Sequence, residues 1–240
     1  MSGWLLAIDT ATRQATLALG DGDGRLVAGR DWPAGHTHAE TLLPALQELL
    51  SDAGIGATAL TGIVVGTGPG GFTGLRVGLA TAKTLAHGLR VPIVGVATGE
   101  ALAAAALGAG RGGVAVVVQP AGPADRYLTR VAVDAGGNAT ASTPPLLVPP
   151  LDFGAAMEAA MAADESLVAV DLEDPELPPV ARALGTRALA GLGRALLAAG
   201  ARALAAGRAD AVAALVPTYV TLPRGVAAVW AASTWSPDLR

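Results

Sequence analysis

The sequence contains no cysteine. Disulfides, thiolate nucleophiles and cysteine-held metal are therefore excluded from its chemistry. Aromatic residues make up only 3%, which leaves little material for stacking exposed bases. Lysine is almost missing as well: Lys83 is the only one among 16 basic residues, a pattern read as codon bias. The formal net charge is -4 and the pI about 5.3, so no overall basic field draws the chain to nucleic acid. The first residues, "MSGWLLAIDTATR", lack a basic leader, and Asp9 interrupts their apolar run. No signal peptide is expected, and the expected compartment is the cytoplasm. Only the alanine-rich stretch 188–207 reaches bilayer length, and Arg194, Arg202, Gly191, Gly193 and Gly200 interrupt it. A soluble helix is expected there, with no membrane association. There is no G-x-S-x-G elbow, and three histidines with few serines support no catalytic triad.

What is present is a chain of 240 residues, 52% hydrophobic, enough for one large domain or two small lobes with their own cores. Residues 4–9, 14–20 and 25–31 are short apolar or alternating runs, the last two separated by "DGDG", which predicts an antiparallel meander. Leu42, Leu46, Leu49, Leu50 and Ala53 recur at helical spacing and stop before Gly54. A strand over 62–66, a helix over 72–87 closed by Gly88, and a strand over 92–97 follow. After an alanine-rich helix over 99–109 the order restarts: strands at 113–119, 126–134 and 145–149, a helix at 152–163, a strand at 166–171 and a helix at 187–206. This repeat of order predicts a duplicated α/β architecture. The expected units are a first lobe over 1–98, a second over 99–216 and a tail over 217–240, with an extended "TYVTLP" and a frayed "SPDLR".

The stretch "GTGPGGFTGLRVG" (66–78) decides the functional reading. Gly66, Gly68 and Gly71 fit G-x-G-x-x-G between a strand and a helix, the setting of a dinucleotide site. However, the fold opens on a meander, no acidic residue ends the next strand to hold a ribose, and no Lys-Ser/Thr pair completes a Walker loop. A turn in which glycine allows positive φ and close packing is the alternative. On the helix that follows, Leu75, Leu79, Ala82 and Ala86 share one apolar face. Gly74, Gly78, Thr81 and Leu85 share an adjacent edge of mostly small residues, open either to the 42–53 helix or to a partner. Phe72 is expected to anchor the turn in the core.

"LLAIDTATRQATLAL", "HAETLLPALQELL", "GTGPGGFTGLRVGLATAKTLAHGLRVPIVGV" and "VPTYVTLP" resemble, in order, the landmarks of the bacterial TsaB (YeaZ-like) family. The resemblance covers residues 4–97 closely and 100–210 thinly. Where that family carries an Asp-Ala-Arg segment before an aromatic strand, this chain reads "QPAGPADRYLT", with Gln119 and Pro120 at its start. The resemblance implies a duplicated, two-lobed, actin-like ATPase (ASKHA, ribonuclease H-like) fold with mixed sheets flanked by helices. It further implies a non-catalytic subunit needed to form N6-threonylcarbamoyladenosine beside the tRNA anticodon, at position 37. The implied partners are a TsaD-like transferase, which it would activate, and a TsaE-like ATPase, with a homodimer when alone and tRNA reached only through the complex. The helices at about 38–53 and 72–87 would form the dimer surface, with Gly70, Gly71, Phe72, Thr73, Gly74, Arg76, Gly78, Thr81 and Leu85 as candidate interface residues.

In actin-like enzymes a first-strand Asp followed by hydroxyl residues faces the phosphates, and Asp9, Thr10 and Thr12 stand at that place as a remnant nucleotide site. The matching hairpin of the other lobe offers prolines, which cannot donate N–H groups. No cofactor or metal is expected on this chain alone, and ATP is expected, if anywhere, at the assembled complex. His36, His38 and Glu40 look like metal ligands, but two-residue spacing does not place both histidines on one helix face, and Thr37 with Glu40 fits a capping box. Pro44 should kink that helix or delay its start to Thr41, and His87 suits a helix C-terminus. A small-molecule phosphotransferase and a metallopeptidase are the competing readings.

Overall fold

The structure, a computed structural model, describes residues 3–34, 37–110, 112–174 and 177–220, the His38 side chain apart. The sequence alternation builds a first sheet from β1 (Trp4–Asp9), β2 (Gln14–Asp21) and β3 (Leu26–Pro33), paired antiparallel. The "DGDG" turn closes because the Asp21 carboxylate accepts the N–H groups of Asp23 and Arg25, while Gly24 takes φ +78°. Two strands, β4 (Leu60–Gly66) and β5 (Ile93–Val96), extend the sheet parallel to β1, giving the order β3-β2-β1-β4-β5.

Period-two alternation in β1 sends Leu6 and Ile8 to one face and Leu5 and Ala7 to the other, so this central strand is buried on both sides. On the first face lie α1 (His38–Asp52) and α2 (Phe72–Leu89), packing Leu42, Leu46, Leu49, Leu79 and Ala82 onto Leu6, Ile8, Leu17 and Leu19. On the second face, α3 (Thr98–Leu107) and α5 (Pro179–Ala205) fill the space between the two sheets.

The second sheet comprises β6 (Gly113–Pro120), β7 (Arg126–Val133), β8 (Ala139–Ala141), β9 (Leu146–Val148) and β10 (Ser166–Ala169). Its order is β10-β6-β7-β8, with β9 also on β7, and α4 (Pro150–Ala162) covers its outer face through Phe153 and Ala160. The parallel β10–β6 and antiparallel β6–β7 pairs repeat the β4–β1 and β1–β2 pairs of the first sheet. This is a duplicated α/β fold of two mixed sheets flanked by helices, and its second repeat has no counterpart of β5 among the described residues.

Several local expectations need correction. Helix α2 runs through Gly88, and its left-handed C-cap is Arg90 at φ +56°. Thr37 is the N-cap of α1, but its hydroxyl donates to the Ala34 carbonyl at 2.8 Å, so no capping box forms. Pro44 sits inside α1 without delaying its start. Helix α5 opens at Pro178 and Pro179, two turns ahead of the expected start at Arg187, because proline is at home in a first helical turn.

Helix α5, expected to close the second lobe, packs on both sheets, its Gly185 against the Ala169 carbonyl of β10 and its later turns on the first sheet. Close approach is made possible at Gly193, beside Ala18, and at Gly200, where any Cβ would overlap Val64. Beyond α5, the Asp210 N–H donates to the Ile93 carbonyl and the Thr218 N–H to the Thr67 carbonyl, both at 2.8 Å. Helix α5 is also the one described helix long and apolar enough, by length and composition, to cross a membrane. Its Leu192, Leu196 and Leu197 are fully buried in the layer between the sheets. The expected extended run at 218–223 is described only to Val220, and "SPDLR" lies outside the described residues.

Candidate functional site: the cleft between the lobes

The C-terminal ends of β1 and β6 face one cleft, as expected where strand ends of an open α/β sheet meet. A cavity of about 380 Å³ is lined there by residues 10–13 and 70–74, with Gln119, Pro120, Gly122 and Asp171. It shares Gly70, Gly71 and Phe72 with a neighbouring cavity of about 510 Å³ that includes Tyr127, Leu147 and Tyr219.

Asp9 does not face that space. It is completely buried: Oδ1 accepts the Ala11 N–H at 2.8 Å, and Oδ2 accepts the Thr98 hydroxyl at 2.7 Å. The Thr98 oxygen in turn accepts the Gly68 N–H at 3.0 Å. Burial pushes the Asp9 carboxyl up to about 6, against the opposing pull of the Ala11 and Thr98 hydrogen bonds. A Cβ at Gly66 would overlap the Asp9 carboxylate, which explains glycine at that position.

The other expected phosphate ligands are likewise engaged within the chain. The Thr10 hydroxyl donates to the Gly74 carbonyl at 2.7 Å, and the Thr12 hydroxyl to the Gln14 carbonyl at 2.8 Å. The Gly71 N–H donates to the Ala11 carbonyl at 2.8 Å, and a Cβ at Gly70 would overlap that same carbonyl. The glycine stretch is therefore a packing device: its close approach locks the 66–71 loop onto the turn after β1. Gly68, at φ +92°, is the residue there whose backbone favours glycine. The Asp9 carboxylate and the Gly68 and Gly71 N–H groups thus have partners within the chain.

Asp171, which sequence reasoning missed, bridges the two lobes. Its carboxylate accepts the Arg13 N–H at 2.7 Å from a residue at φ +57°, and burial raises its pKa against that bond and the Arg13 charge. Only the "VD" after a buried strand hinted at it. Gln119 also joins the lobes, donating to the Pro69 carbonyl at 3.3 Å, and its buried Oε1 has no partner.

The expected interface residues divide. Gly74 and Gly78 are buried and turned toward Thr10 of their own lobe; a Cβ at Gly78 would overlap the Thr10 hydroxyl. They are not open to a partner backbone, and their neighbour is the turn after β1. Thr73 and Arg76 are exposed, and Thr81 and Leu85 are half-buried. Phe72 is half-buried at the cleft mouth instead of anchoring the core. The Arg76 guanidinium stacks on its ring at 3.8 Å, Tyr219 lies 5.4 Å away, and Arg76 Nε donates to the Tyr219 hydroxyl at 3.1 Å. Among the described residues no cluster of three acidic or imidazole side chains could hold a metal; His36 and the His38 side chain lie outside them.

Residues 33–124 match the family model "TsaD: tRNA N6-adenosine threonylcarbamoyltransferase". The Escherichia coli tRNA threonylcarbamoyladenosine biosynthesis protein TsaB is 38% identical over 94 residues, which are 39% of this chain and 40% of that one. Its Bacillus subtilis counterpart is 39% identical over 100 residues, 42% of this chain and 43% of that one. A Pseudomonas aeruginosa protein of solved structure, described as similar to the peptidase YeaZ, superposes with TM-score 0.68 at 25% identity, over 92% of this chain and 100% of that one. The matched segments span between 28% and 50% of the first curated relatives' length. The chain is thus similar to proteins named TsaB over about two fifths of its sequence, and to a YeaZ-like protein in fold over 92% of it.

Proposed function

We propose that this chain is a non-catalytic, cytoplasmic subunit of the machinery that forms N6-threonylcarbamoyladenosine at position 37 of tRNA, where it binds and activates a TsaD-like transferase. The observation that carries the reading is the inward-turned Asp9, whose carboxylate accepts from Ala11 and Thr98 instead of facing the cleft where the resemblance to actin-like enzymes places phosphates. The similarity to proteins named for this biosynthesis supports the same reading. A TsaE-like ATPase completes the assembly, and any ATP acts there and not on this chain alone.

The partner surface follows from exposure along α1 and α2. Leu43 is 56% exposed, Ala80 and Thr84 are exposed, and Thr81 and Leu85 are half-buried. With Gly74 and Gly78 engaged by Thr10, these residues form the surface for the transferase or, in its absence, for a second copy. The test is turnover. The purified chain should hydrolyse no ATP, and Leu43→Glu should abolish activation of the transferase while leaving the chain folded. Magnesium-dependent ATP hydrolysis lost on Asp9→Ala would restore the phosphotransferase reading.

A further inference from the structure

One surface lies apart from the cleft and from the exposed faces of α1 and α2. Helix α5 carries Arg182, Arg187, Arg194 and Arg202 and no acidic residue, in a chain of net charge -4. Arg187, Arg194 and Arg202 are all exposed and line one groove of about 550 Å³ with Ala104, Gly108 and Gly191. At 100° per residue the three fall within an arc of about 80°, and at 1.5 Å rise they span about 22 Å. No Asp or Glu is among the described residues lining the groove.

Local structure keeps the groove open. Gly191 lets α5 approach α3 closely, since a Cβ there would lie 2.9 Å from the Ala105 Cβ. Arg187 lies over Gly108 at the C-terminus of α3, the helix end that favours a cation. Arg202 feels the charge of Asp134, on the turn after β7. That carboxylate is held by the N–H and side-chain amide of Asn138, which lower its pKa, with a smaller contribution from Arg202. Asp134 thus stays ionised beside Arg202 at the groove's edge, outside the lining itself, where the arginines are the charged residues.

We propose that this arginine groove binds the phosphodiester backbone of RNA. A 22 Å row is too long for one phosphate and suits a polyanion, whose charges repeat along its length (the span is about 15 residues at 1.5 Å each). Guanidinium groups match phosphate oxygens in bidentate geometry. A floor of alanine and glycine offers no base-reading groups, so the contact positions RNA without specifying sequence. The choice of RNA over another polyanion rests on the function proposed above; the groove itself does not.

The test uses the chain mixed with its transferase and a fluorescein-labelled, unmodified tRNA transcript, read by anisotropy across a salt series. The triple variant Arg187→Gln, Arg194→Gln, Arg202→Gln should keep its melting temperature and its affinity for the transferase. It should bind the transcript at least about tenfold more weakly at physiological salt, with a slope of log affinity against log salt reduced by about 2 to 3, from three contacts at about 0.7–0.9 each. Unchanged tRNA affinity and salt slope overturn the proposal. So does a variant that loses the transferase and not the tRNA, since the groove would then seat an acidic protein segment. Failure of the underlying function looks different: the wild-type chain itself would not stimulate modification, whatever the arginines do.

Discussion

A single methyl group added at position 78 tests how the glycine stretch works. Replacing Gly by Ala inside a helix favours the helix by about 1 kcal/mol. Here the new Cβ would overlap the Thr10 hydroxyl and stand 3.3 Å from the Thr10 Cβ. Thr10 must then rotate, giving up its 2.7 Å hydrogen bond to the Gly74 carbonyl, worth about 0.5–1.5 kcal/mol. Overpacking of the buried turn adds about 1–3 kcal/mol. The balance is a loss of about 1–3 kcal/mol for Gly78→Ala, or about 2–12 °C in a protein of this size. Thr10→Ala alone should cost about 1 kcal/mol through the lost hydrogen bond. In the double variant the obstructing oxygen is gone and the helix gain remains, so it should be at least as stable as Thr10→Ala. The coupling between the two sites is then about 1–3 kcal/mol. Calorimetry of the four proteins, with transferase affinity measured alongside, checks this. If Gly78→Ala kept its melting temperature and lost the transferase, the edge would face a partner and the packing against Thr10 would be wrong. Strictly additive costs would also refute it.

Three other perturbations follow from the same contacts. Asp9 has a folded pKa of about 6 against 3.8 for the free group, so unfolding between these values releases a proton and stability falls as pH rises from 3.8 towards 6, by about 3 kcal/mol in all. Asp9→Asn should flatten that part of the pH profile in urea titrations, and an identical slope in both proteins would count against a buried, shifted carboxyl. Gly200→Ala forces a methyl into Val64 and should destabilise by about 1–3 kcal/mol; an unchanged unfolding midpoint would mean α5 is not seated on the first sheet. Arg76→Ala removes both the stacking on Phe72 and the bond to Tyr219, so hydrogen exchange at the Thr218 amide should rise severalfold, and unchanged protection would leave Arg76 without a role in docking the 208–219 segment.

Much of the fold was legible in the sequence because its signals are local. Alternation in 14–20 and the "DGDG" turn specified the meander, and the spacing of Leu42, Leu46, Leu49 and Leu50 specified α1. What was not legible depends on contacts distant along the chain. Thr10 and Gly74 are 64 residues apart, so nothing around position 74 or 78 reveals that its neighbour is the turn after β1. The left-handed cap fell on Arg90 and not Gly88, with Leu89 and Val91 on either side of it packed against the core of the first sheet. Strand β8 has three residues and pairs only with β7 among the described strands, too short to show a period. At the site, Asp9 was found by position, but its inward orientation and the Asp171 bridge to Arg13 came only from geometry.

The central claim is that the chain acts by binding, not by chemistry of its own. A reconstituted reaction with the proposed TsaD-like transferase and TsaE-like ATPase, threonylcarbamoyl-adenylate and an unmodified tRNA transcript tests it most directly. The account predicts modified adenosine only when this chain is present, and full activity from Asp9→Asn, which keeps the buried hydrogen bond to Ala11 and removes the charge. Product formed equally well without the chain, or abolished by Asp9→Asn in a protein that still folds and binds the transferase, would contradict it.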